Sequence, residues 1–111
     1  MRYFIRVEDL ANARGGDEQF SWGGQSPQDL AAAITQSLRN TDLISRWRAA
    51  QPEPDEVDEQ LLPVDTAASV SAEERAHQVH FVVTTTLPHR LLAQRLNLLI
   101  GSNWSLGDVQ P

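Results

Sequence analysis

The chain has no cysteine, no lysine and no long apolar run, and only seven of its 111 residues are aromatic. Without cysteine there can be no disulfide, no thiolate zinc site, no iron–sulfur cluster and no cysteine nucleophile. The fold must therefore be held by its core, and 111 residues in a single domain, 1–111, are enough to bury roughly two-thirds of the unfolded surface. All nine basic residues are arginine, and since lysine and arginine both contact phosphate, that bias carries no functional information. No segment approaches the roughly 18 apolar residues of a membrane span, and in MRYFIRVEDL the arginines at positions 2 and 6 interrupt any signal-like apolar stretch. A cytoplasmic protein of bacterial type, with no membrane partner, is the expectation.

What is present is an uneven charge. The net charge is −6. Residues 51–76 hold eight acids against one arginine, −7, and the remainder holds eight arginines against seven acids, +1. The acidity belongs to one segment, whose stretch QPEPDEVDEQLLP packs five carboxylates into seven residues, Glu53 to Glu59, between prolines. Such a composition cannot bury enough apolar area to offset the entropy of ordering, so 51–76 reads as a flexible acidic linker with Leu61, Leu62 and Val64 as an anchor midway. It is not a calcium loop. Starting from Asp55, the third position is Val57 and the sixth is Gln60, where an oxygen ligand and a glycine are required.

Around that segment the periodicities are clearer. In RYFIRVE, Tyr3, Ile5 and Val7 alternate with Phe4, Arg6 and Glu8, predicting a strand, and QFSWGG after a glycine-containing connection predicts a short second strand. Ser26, Pro27 and Asp29 form a triple helix-start signal, followed by an apolar stripe through Leu30, Ala33, Ile34 and Leu38 to Asn40. Thr41 caps a second predicted helix, which Pro52 stops. HQVHFVV predicts a central strand, and PHRLLAQRLNLLIG a helix from Pro88 to Gly101. Trp104 and Leu106 alternate in the tail, which reads either as a short edge strand or as an arm lying on a neighbour. The expected class is α+β: a small, mostly antiparallel sheet in the order β-β-α-α-linker-β-α, with a short C-terminal strand and helices on one face.

No residue set converges on chemistry. His77 and His80, three apart on a strand, point to opposite faces, so no metal site is expected there, and no cofactor is implied. His80 or His89 could serve a pocket as a general base, a reading under which the chain is a ligand binder or an enzyme. Neither a G-x-S-x-G elbow nor a phosphate loop occurs. Arg39, Arg46 and Arg48 are the only basic concentration and supply a second reading, a nucleic-acid-associated regulator. The favoured reading is a non-enzymatic interaction or regulatory module whose partner is itself or another protein. Leu91, Leu92, Leu96, Leu98, Leu99 and Ile100 spread over about half the helix circumference, wider than the roughly 100° stripe one sheet covers. The expected homodimer surface is Leu91, Arg95, Leu98, Trp104 and Leu106; the anchor at 61–64 could instead cover that helix and leave a monomer.

Overall fold

The computed structural model describes all 111 residues, and the class is α+β as expected. In chain order the elements are β1 (Arg2–Val7), α1 (Pro27–Arg39), α2 (Asp42–Ala49), β2 (Ser69–Arg75), β3 (Gln78–Thr84), α3 (His89–Ile100) and β4 (Ser105–Gln110). The sheet order is β2-β3-β1-β4, and every neighbouring pair is antiparallel. It follows that β1 and β2 run the same way with β3 between them, and β3 and β4 run the same way with β1 between them. This is the split β-α-β connectivity, in which each crossover skips one strand. No helix is long and apolar enough to cross a membrane.

Alternation places one face of the sheet against the helices. Tyr3, Ile5 and Val7 of β1 and Val79, Phe81 and Val83 of β3 are buried, and they pack with Leu30, Ile34 and Leu38 of α1 and Leu91, Leu92, Leu96 and Ile100 of α3. Tyr3 sits almost wholly inside, its hydroxyl donating to Leu87 O at 3.0 Å, and burial pushes its pKa up. The start of α1 is the capping box its sequence announces: Asp29 N donates to Ser26 Oγ at 3.1 Å and Ser26 N to Asp29 Oδ2 at 3.1 Å. The Gln25 N–H, donating to Asp29 Oδ2 at 3.0 Å, and the Ser26 bonds together hold the Asp29 carboxyl below its usual range. At α2 the expected cap is displaced by one residue. Thr41 makes no side-chain cap, and Asn40 Oδ1 accepts from Asp42 N at 3.0 Å instead.

Two strand assignments need correction. The second strand expected over QFSWGG is not a strand. Both edges of β1 are taken by β3 and β4, so this segment cannot join the sheet beside it. It docks on the end of α3, where Trp22 N donates to Leu99 O at 3.2 Å and Ser21 Oγ to the same carbonyl at 3.2 Å. Helix C-termini leave such carbonyls without intrahelical donors. Gly15 allows the close approach, since a Cβ there would collide with Leu98 O, and Gly101, at φ +64°, turns the chain out of α3.

The other correction lies inside residues 51–76. Their last third is β2, paired with β3 from Ser69 opposite Thr84 to Arg75 opposite Gln78. The connecting Ala76 and His77 both have positive φ, 48° and 75°. That is the signature of a two-residue type I′ hairpin turn made without the usual Asn-Gly. Before β2 the segment forms single 3-10 turns at Pro54–Glu56 and Glu59–Leu61 and lies along α2. Leu61 lines a hollow with Trp47 and Val57, and Leu62 one with Ile44 and Ala49.

Candidate interaction surface

The helices cover the sheet unevenly. Helix α1 lies over β2, and no helix packs broadly on β4. Of the three exposed large hydrophobic residues of the chain, Leu106 (37% exposed) and Val109 (36% exposed) lie on that uncovered edge, while Met1 precedes β1 and exchanges backbone hydrogen bonds with Thr85 at the end of β3. Register explains why two residues three apart share a face. Phe4 pairs with Asp108 and Ile5 with Leu106, leaving Gly107 as an unpaired bulge, so Leu106 falls beside buried Ile5 and Val109 beside buried Tyr3. Both belong to the core face by position and lack a cover.

Trp104 closes one end of this strip. Its Nε1 donates to Asn97 Oδ1 at 3.0 Å, and its ring stands 6.5 Å from His89, which in turn stands 6.2 Å from Tyr3. Asp108, the only charge on β4, accepts from Val109 N at 2.8 Å through Oδ1. At the far end, the Arg2 guanidinium donates to Gln110 Oε1 at 2.8 Å.

The sequence-derived surface is therefore divided. Trp104 and Leu106 lie at the open strip, Leu98 is half-buried, and Leu91 and Arg95 are inside the chain's own core. The wide apolar arc of α3 is covered internally, by the sheet and α1. Arg95 is 0% exposed and meets no carboxylate: Nε donates to Ser37 O at 3.4 Å, and the two terminal nitrogens to Gln94 Oε1 at 2.6 Å and Pro63 O at 3.0 Å. Burial pushes its pKa down. Its neutral acceptors fasten the acidic segment to α1 and α3, which is the anchoring expected near 61–64, achieved by a guanidinium as well as by leucines.

The other candidate groups do not converge. Arg39 donates to Ala68 O at 2.6 Å, Arg46 to Gln19 O at 2.8 Å, and Arg48 to Pro54 O at 3.0 Å, so the three arginines are directed at three separate segments. Arg46 also pairs with Asp42 at 3.4 Å. His77 lies in the hairpin turn. His80 is on the open face of the sheet, between Arg6 and Glu73 in register, and lines a hollow of about 200 Å³ with Phe4 and Ser105. His89 is on the helix side with Trp104. The largest hollow, about 730 Å³, is an open groove between Phe20–Trp22 and α1–α2, edged by Gln36, Asn40 and Arg46. No group of three or more histidine, aspartate or glutamate side chains is placed to hold a metal ion. In the acidic segment the nearby Glu53 carboxylate pushes the Glu56 pKa up.

No protein-family model matches the chain, and neither a curated protein nor a solved structure matches it.

Val109 is the surface residue that sequence reasoning missed. The available signal was Gly107 inside the alternating tail, since a glycine within a strand pattern marks a bulge and shifts the phase of the residues beyond it.

Proposed function

We propose that the chain is a non-enzymatic interaction module that works as a homodimer, with the uncovered side of β4 as its contact surface. The observation that carries this reading is the placement of two of the three large exposed hydrophobic side chains on one edge strand, where Leu106 and Val109 occupy core-facing positions that no helix covers. An unpaired strand edge beside uncovered apolar residues is a surface that gains by association. One short strand and a few side chains fall below the area of a standard stable interface, so the association is weak and depends on concentration.

Sedimentation equilibrium up to about 1 mM chain, the concentration at which only weak contacts remain to be seen, tests the proposal on wild type and Leu106→Glu. Wild type should reach dimer, and the variant should stay monomeric while retaining its circular dichroism. Each copy carries −6, so added salt should tighten the dimer by screening repulsion. Binding of nucleic acid would weaken with salt instead. A wild type that remains monomeric throughout removes the proposal.

A further inference from the structure

Resting on that reading, the geometry of β4 points to one particular arrangement of the second copy. We infer that two chains meet strand to strand, antiparallel across a two-fold axis between Gly107 and Asp108. Leu106 of each then faces the partner's Val109, and two four-stranded sheets become one continuous sheet.

The two faces of β4 differ in character. Ser105, Asp108 and Gln110 pair with Arg6, Phe4 and Arg2 on the open side of the sheet, whereas Leu106 and Val109 pair with Ile5 and Tyr3 on the helix side. In an antiparallel pair, residues directly opposite must share a face. In a regular strand, residues three apart never do, so Leu106 could not be matched with a partner's Val109. The bulge at Gly107 removes that conflict. About an axis through the bulge, Ser105 meets the partner's Gln110, Leu106 meets the partner's Val109, and Gly107 meets the partner's Asp108. All six residues of the strand are used and both apolar pairs form.

Charge selects this edge and this register. The alternative edge, β2, carries Glu73, Glu74 and Arg75, so a full-length antiparallel β2–β2 pair, centred on Ala72, would bring four acids to the seam and set Glu74 opposite Val70. Pairing β4 with the β2 of another copy would bring Asp108 toward those acids, and it would also be a head-to-tail contact that polymerises without closing. In the proposed register each Asp108 lies directly opposite a glycine, with the partner's Asp108 as its diagonal neighbour across the axis. A shift of one residue would set the two Asp108 carboxylates opposite each other.

The absence of native cysteine makes the register directly readable. In the Leu106→Cys and Val109→Cys chains, the new thiols sit at partly exposed positions, so folding should be retained. Mixed and oxidised, the two chains should yield a covalent dimer well above the level reached by either alone. Same-site thiols would lie roughly 10 Å apart along the strands, beyond disulfide reach. Sedimentation of the wild type is run in parallel. If the wild type dimerises but the mixed pair gives no more cross-linking than the single variants, the register is wrong while the dimer stands. If the wild type is monomeric to about 1 mM, both the register and the proposed function fall.

Discussion

The sheet has two edge strands, β2 and β4, and they are covered to different extents. β2 is polar along its sequence, SVSAEER, yet its inward residues Val70 and Ala72 are half-buried against the core beneath α1. β4 carries one charge and two good hydrophobes, yet those are left open. Composition alone would have ranked them the other way. Whether an edge strand is covered is decided by where the helices lie, and here α1, entering from β1 and leaving toward β2, is drawn to the β2 side. β2 uses charge where it meets solvent, a recognised means of blunting an edge, while β4 with its single aspartate leaves its two hydrophobes open.

The same charge placed on the two edges should have very different consequences. Val70→Asp puts a carboxylate under α1 and should cost about 2–3 kcal/mol, the range for burying an unpaired polar group. Val109→Asp puts it on the open edge and should change stability by less than about 0.5 kcal/mol, as exposed substitutions do. Urea unfolding of both variants at low chain concentration checks the pair. Equal losses would mean that β4 is as well covered as β2.

A somewhat smaller effect is expected at the β2–β3 turn. Ala76 and His77 hold positive φ, which costs a side-chain-bearing residue about 1–2 kcal/mol. Replacing the pair by Asn-Gly removes most of that strain, so the double variant should unfold at higher urea with a gain of about 1–2 kcal/mol. No gain would imply that the hairpin is not made in solution as described.

This turn also explains what was legible in the sequence. Every helix start that used ordinary signals was readable: Ser26-Pro27-Asp29 for α1, and Pro88 with Gly101 around α3. The strands β1 and β3 showed their alternation plainly, and the tail strand was visible through Trp104 and Leu106. β2 was hidden twice over, by a polar sequence that shares the composition of the linker before it and by an Ala-His turn that carries no turn signal. The false strand over QFSWGG arose because Phe20 and Trp22 alternate, although their apolar rings serve the core from an irregular segment. Trp22 even donates from Nε1 to Ala13 O at 2.6 Å and lies under the Arg14 guanidinium at 4.3 Å. For the candidate surface, helical projection counted the apolar arc of α3 correctly but could not show how much of it α1 and the sheet would use. Leu91 and Arg95 therefore went inward, and the open residues lie one strand later.

The approach to β2 supplies the next test. Asp65 ties the acidic segment to the end of β3: its Oδ2 accepts from Thr85 Oγ1 at 2.8 Å and Thr86 N at 2.9 Å, and its Oδ1 from Ala67 N at 3.0 Å. The Thr86 N–H, the Thr85 hydroxyl and the Ala67 N–H together hold its carboxyl below the ordinary 3.8. A depressed folded pKa stabilises above the unfolded value, and that contribution is lost as pH falls through the folded one. Asp65→Ala should therefore lose under about 1 kcal/mol at pH 6 and progressively less below pH 3.8. Hydrogen exchange should separate the two halves of the region, with amides from Glu53 to Glu59 exchanging fast and those of β2 bonded to β3 slowly. Uniform protection from 53 to 75 would remove the distinction between linker and strand.

The smallest effect concerns β4 itself and is informative because it is small. Leu106 is partly exposed, so Leu106→Ser removes little burial within one chain, and its melting temperature at micromolar concentration should match wild type within the change expected for about 0.5 kcal/mol. Self-association stabilises the folded state by mass action. The wild-type melting temperature should therefore rise with concentration, while that of the serine variant should not. Leu98→Ser, half-buried on α3, supplies the contrast: it should lower the melting temperature at every concentration and leave the concentration dependence intact. If instead Leu98→Ser abolishes that dependence and Leu106→Ser preserves it, the contact lies on α3, and the two edges of the sheet are equally idle.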